Sequence, residues 1–195
     1  MKIEPIFLED ESVFLAPLMT EHFESLCEAG LEKEIWRWSP EEILTPEAMR
    51  KYVATALDER RRGVSMPFVT IDKRTNKIVG ATRFGNIDAQ NLRAEIGWTW
   101  INPAWQRTYV NTHAKLLMLS HAFETWNCIR VEFKTDALNE KSRAAIRRLG
   151  AKEEGIFRQH MICASGRLRD SVYFSILDNE WQGVKENLLR KLGKI

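Results

Sequence analysis

Cysteine is scarce in this sequence, and its three copies, Cys27, Cys128 and Cys163, stand far apart. Neither a CxxC nor a Cys/His ligand spacing occurs, which excludes a disulfide framework and a zinc site and leaves buried thiols in a reducing compartment. Long apolar runs are also missing. No window approaches the roughly 18 apolar residues of a membrane span, and Met1-Lys2-Ile3-Glu4-Pro5 lacks the apolar stretch of a signal peptide. A cytoplasmic location without a membrane partner is expected. Nor is there an excess of one charge, since 29 basic residues face 27 acidic ones for a net charge of +2. The densest basic run, Arg60-Arg61-Arg62, follows Asp58-Glu59 and reads as a solvated helix end, so no nucleic-acid partner is expected. Repeats, low-complexity tracts and linkers are absent too, and residues 1–195 read as a single domain.

What is present is an apolar pattern whose period changes along the chain. A short apolar run (Val13, Phe14, Leu15) precedes a helix that Thr20 can cap and Gly30 can end, then a loop holding Trp36, Trp38 and Pro40. Thr45 followed by Pro46 marks the start of a second helix, with Met49, Val53, Ala56 and Leu57 about one turn apart. Three strand patterns follow, Phe68 to Ile71, Lys77 to Phe84 and Leu92 to Ile101, as an antiparallel meander. In the third, Leu92, Ala94, Ile96, Trp98 and Trp100 are expected on a core face, with Arg93, Glu95, Gly97 and Thr99 on the other. A helix over 111–126, a strand around Ile129, Val131 and Phe133, and a helix from Asn139 to Gly150 come next. Two strands separated by Ser165-Gly166 and a C-terminal helix at about 179–192 complete a mixed α/β sandwich. The strand–helix–strand unit from Leu92 to Phe133 should hold a parallel pair, and the turn opening its helix is a natural anion site.

That turn reads Ile101-Asn102-Pro103-Ala104-Trp105-Gln106-Arg107-Thr108-Tyr109-Val110-Asn111-Thr112. It resembles the acyl-CoA loop of the GNAT acetyltransferases, in which an apolar strand end two residues before a proline leads into a Q/R-x-x-G-x-G/A segment. Ile101, Pro103 and Gln106 match, while Tyr109 and Asn111 stand at the glycine and small-residue positions. Such residues can still present consecutive amides if φ stays negative there. Asn139-Glu140-Lys141-Ser142 ahead of Leu149-Gly150 resembles the family's N-x-x-S helix. Arg158, the Ser165-Gly166 turn, Arg169-Asp170, Tyr173-Phe174-Ser175-Ile176 and Asp178-x-Glu180-Trp181 are similar to the Rim-type subgroup, which acetylates protein N-termini and some small amines.

The resemblance implies a GNAT fold, a mostly antiparallel sheet with a central parallel pair flanked by helices, from about Val13 to Trp181. It implies acetyl-CoA as acyl donor, no metal, an amine acceptor (a peptide N-terminus or a small aminoacyl-like molecule) and the option of a homodimer. CoA contacts are implied for Ile101, Gln106, Arg107, Thr108, Tyr109, Val110, Asn111, Thr112 and Asn139. Acetyl transfer needs a neutral amine, donors for the developing oxyanion and a proton for the thiolate. Glu95 is the expected base, acting through water or across a bulge at Gly97, unless it is a glutamate paired with Arg93. The Ile101 N–H is the expected oxyanion donor. Ser142 is the expected proton donor, and Trp36 and Trp38 either wall the acceptor site or anchor their loop. His113 and His121 read as helix-surface residues, and Cys128 has no evident base. A module that binds acyl-CoA or a protein without catalysis is the alternative.

Overall fold

The computed structural model describes residues 3–195. Its strands are β1 (Leu8–Glu9), β2 (Val13–Pro17), β3 (Met66–Asp72), β4 (Lys77–Asp88), β5 (Arg93–Ile101), β6 (Arg130–Asp136), β7 (Lys152–Ile162) and β8 (Leu168–Leu177). They form one sheet in the order β1-β2-β3-β4-β5-β6-β8-β7. Every neighbouring pair is antiparallel except β5 and β6, joined in parallel through a crossover helix. The helices are α1 (Phe23–Gly30), α2 (Lys33–Trp36), α3 (Pro46–Arg61), α4 (Val110–Ser120), α5 (Glu140–Leu149) and α6 (Asp178–Lys191). This is the mixed architecture expected from the sequence.

Local chemistry sets most of the boundaries. The Thr45 hydroxyl accepts the Ala48 N–H at 3.2 Å, and Pro46 fills the first position of α3, where its missing N–H costs nothing. Asn139 caps α5 by accepting the Ser142 N–H at 3.0 Å, and Gly150 ends it at φ 109°. Thr20, in contrast, does not cap α1. It lies in a 3-10 turn (Thr20–His22), and α1 starts at Phe23 with no side-chain cap. The segment expected as a loop after Gly30 contains the single turn of α2.

Two apolar clusters cover opposite faces of the sheet. One gathers Phe84, Ile96, Val131 and Phe133 under Leu119, Phe123 and Trp181, and the other joins Leu26, Met49, Val53 and Trp36 to Ala81 and Trp100. β5 serves both because of a bulge. Gly97 pairs with Arg83 and Trp100 with Ala81, so Trp98 and Thr99 of β5 stand opposite the single Thr82 of β4, and Trp98 takes φ 48°. The expected alternation therefore holds only through Ile96. Trp100 turns to the α1/α3 face against Trp36, with ring centroids 5.7 Å apart, and Trp98 is pushed 40% into solvent. A second bulge lies on β4, where Gly85 pairs with Glu95, Asp88 pairs with Arg93, and Asn86 takes φ 47°. Glu95 sits between the two. Its pairing with Glu132 is also the last rung between β5 and β6, beyond which the strands part while β6 stays paired to β8.

Candidate active site

The C-terminal end of β5 supplies one half of the site. Asn102 donates its N–H to the Val79 carbonyl at 2.8 Å, toward β4. Successive amides of an extended strand point to opposite edges, so the Ile101 N–H faces the gap that opens toward β6. The Ile101 carbonyl is taken by the Gln106 side-chain amide at 3.0 Å. The positive φ of the turn falls on Arg107, at 61°, while Tyr109 stays right-handed at φ −65°. Tyr109 therefore needs no glycine. Its ring leaves the loop altogether, donating its hydroxyl proton to Asp72 at 2.6 Å and stacking under Arg74.

α4 then begins without a side-chain cap. Thr108 donates to the Trp105 carbonyl at 2.7 Å and accepts the Val110 N–H at 3.3 Å. The amides of Asn111 and Thr112 belong to the first turn, where a helix leaves its N–H groups without internal partners and the dipole favours an anion. Arg148 reaches the Thr112 hydroxyl at 3.2 Å and adds positive charge at the same end. An uncapped N-terminus with a nearby guanidinium fits a pyrophosphate.

The other half of the site is a cleft of about 500 Å³ floored by Glu95. Glu95 is only 3% exposed. Asn86 donates to its Oε2 at 2.8 Å, and the Lys134 ammonium lies 3.5 Å from the same oxygen. Gly97 leaves room beside it, since a Cβ there would stand 3.0 Å from Glu95 Oε1. No pair with Arg93 forms. That guanidinium turns to Asp88 and Glu132, both at 3.2 Å, because Glu95 is already engaged from the other side. Arg130 joins the same lattice through Glu132 at 2.8 Å and through Glu154. Tyr173 lines the wall, its hydroxyl pKa raised by burial and by the negative charges of Glu95 and Glu132.

The remaining predicted residues fall in different places. Asn139 is engaged as the cap of α5, and Ser142, half-buried in the first turn, shares no hydrogen bond with Glu95 among the described residues. Trp36 is a core anchor: it is buried, its indole donates to the Gly30 carbonyl at 2.6 Å, and it packs on Tyr52 and Trp100. Trp38 stays half-buried between Arg37 and Arg167, beside the Ala164 N–H that binds the Pro40 carbonyl at 2.8 Å. His113 is not a surface residue. It is buried and pairs through Nδ1 with Asp10 at 2.5 Å. Burial pushes the Cys128 thiol up to about 11, which removes it as a nucleophile near neutral pH.

Sequence reasoning missed Asn86 as a cleft residue, and Lys134 and Trp98 as neighbours of Glu95 beside the cleft. Lys134 carried a signal, since it shares the period-two face of Arg130 and Glu132. Trp98 and Asn86 did not, because each depends on a bulge.

The profile of the acetyltransferase (GNAT) domain matches residues 12–152. The chain is 27% identical over 177 residues to "Uncharacterized N-acetyltransferase p20" of Bacillus licheniformis, covering 90% of this chain and 98% of that one. It is 36% identical over 108 residues to "Putative ribosomal N-acetyltransferase YdaF" of Bacillus subtilis (strain 168), covering 55% and 58%. Among solved structures, a GCN5-related N-acetyltransferase from Brucella melitensis superposes with a TM-score of 0.88 at 30% identity, covering 96% of this chain and 85% of that one. Mycobacterium smegmatis RimJ in complex with CoA-disulfide shares the fold, with a TM-score of 0.81 at 21% identity over 97% and 96%. The family uses acetyl-CoA, and the chain belongs to it: it is a GNAT acetyltransferase.

Proposed function

We propose that the chain moves the acetyl group of acetyl-CoA onto a primary amine by direct attack, the acceptor being a peptide N-terminus or a small aminoacyl-like molecule. The carrying observation is the position of Glu95, a buried carboxylate at the floor of a cleft and on the last rung before β5 and β6 part. Glu95 takes the amine proton, directly or through water. The Ile101 N–H, aimed into the gap, steadies the negative charge that develops on the acyl oxygen. The first-turn amides of α4, with Gln106, Arg107 and Thr108 ordering the turn before them, hold the pyrophosphate, and Asn139 and Ser142 stand at the start of the helix that follows β6. Ser142 returns a proton to the departing sulfur.

Calorimetry with CoA and turnover with a panel of short peptides and small amines test this reading together. Binding with turnover is expected. Binding without any acceptor in the panel favours the non-catalytic module, and no binding at millimolar CoA overturns the reading.

A further inference from the structure

An amine already stands beside the cleft, against the Glu95 carboxylate that lines it. Lys134 lies on β6 two residues past the last rung with β5, in the parted stretch of the two strands, on the face shared with Glu132 and Glu95. Its ammonium is 3.5 Å from Glu95 Oε2, 5.9 Å from the centroid of the Trp98 ring and 5.7 Å from that of Tyr173. Two aromatic faces and one carboxylate make a seat for a cation. Two features hold this seat in place. The β5 bulge pushes Trp98 out of the strand, and the Trp98 ring fills the space over Gly85, where a Cβ would stand 2.3 Å from it. Asn86, on the β4 bulge, donates to the same Glu95 oxygen at 2.8 Å and fixes the carboxylate. Among the described residues no other lysine is recorded against a carboxylate and two rings; Lys185 has Glu124 and the single ring of Trp181. Lys141 is 65% exposed and pairs with Glu34 at the surface.

We infer that Lys134 is an internal acceptor, acetylated on Nζ by the protein's own active site. The inference rests on the assignment of Glu95 as base. In the step, the Lys134 ammonium gives one proton to the Glu95 carboxylate, which passes it to solvent. The freed Nζ lone pair forms a bond to the acetyl carbon, the carbon–sulfur bond breaks, and the second Nζ proton goes to the sulfur. The products are an amide on Lys134 and free CoA, with no oxidant or other reactant needed. The amide has no positive charge, so Glu95 keeps only Asn86 as its close partner and the seat between Trp98 and Tyr173 no longer holds a cation.

The test uses the full chain, acetyl-CoA as the probe, and peptide mass spectrometry after timed incubation. Lys134 should be acetylated far faster than Lys141, which reports the chemical background. The rate constant should not change with protein concentration, a readout that needs no variant. Glu95→Gln should slow Lys134 labelling by about 10²–10⁴-fold while leaving Lys141 unchanged. CoA calorimetry on the same protein separates the ways to fail. CoA binding with Lys134 labelled no faster than Lys141 overturns the inference and leaves the proposed function standing. Labelling that rises with protein concentration, or is indifferent to Glu95→Gln, overturns it as well, and no CoA binding overturns both.

Discussion

Two lysines approach the β4–β5 bulge from opposite faces of the sheet, and they differ in every respect except charge. Lys115, on α4, is sealed beneath the helix and among the described residues bonds two hydroxyls, Thr99 at 2.8 Å and Thr82 at 3.1 Å. Burial alone lowers its pKa to about 7. Lys134, on the cleft face, has a carboxylate and two aromatic rings for neighbours. The α4 face accepts the ammonium only by weakening its hold on the proton, whereas the cleft face compensates the charge. A surface that compensates one ammonium is ready to receive another, which is what amine recognition requires.

The largest expected effect removes the compensating group. Glu95→Gln should lower kcat by about 10²–10⁴-fold with CoA affinity nearly unchanged, measured by steady-state kinetics beside calorimetry. Full activity of that variant across pH 6 to 9 would return Glu95 to a purely structural role. Next comes Gly85→Ala, which puts a methyl group 2.3 Å from the Trp98 ring. Overpacking of this kind costs about 1–3 kcal/mol, and the denaturant midpoint should fall accordingly.

On the α4 side, Lys115→Met should stabilise the fold by about 1–2 kcal/mol near neutral pH. The two threonine hydroxyls it leaves still bond each other at 2.8 Å. A pH series sharpens this. The unfolded chain keeps the lysine proton up to its ordinary pKa of 10.5 and the folded chain only to about 7. Stability from this group therefore rises with pH between those values and is lowest below 7. The variant should lack that slope. The smallest effect is expected from Tyr109→Phe, which deletes the hydrogen bond to Asp72 and should cost about 1 kcal/mol. Because the Tyr109 ring points away from the loop, CoA affinity should hardly change; a large loss would place Tyr109 in the binding site instead.

Much of the fold was legible because local signals agreed with the tertiary outcome. Thr45-Pro46, Asn139 with Gly150, and Ser165-Gly166 mark boundaries by capping or positive φ, and all three stand where the sequence puts them. The parallel β5–β6 pair followed from the crossover helix between the two strands, and the helix N-terminus after β5 from the same unit. The cleft was less legible. Alternation along β5 predicts the facing of every residue from a count of two, and one inserted residue at Trp98 voids the count for Thr99, Trp100 and Ile101. Trp36 and Trp100 look alike in sequence to Trp98, yet the first two are buried against each other and the third is half in solvent. The burial of His113 depends on Asp10, about a hundred residues away, a pairing no local pattern encodes.

The bulge at Trp98 has a consequence for how this stretch of chain tolerates change. Its effect on the strand comes from the number of residues between Gly97 and Trp100 rather than from their identity. Removing Trp98 would leave Thr99 alone opposite Thr82 and restore a regular pleat in which Trp100 still pairs with Ala81 and faces Trp36, so that only the ring over Gly85 is lost. The extra residue is thus a detachable insert: a single-codon deletion would strip one wall from the cleft while every side chain from Thr99 to Ile101 kept its side of the sheet.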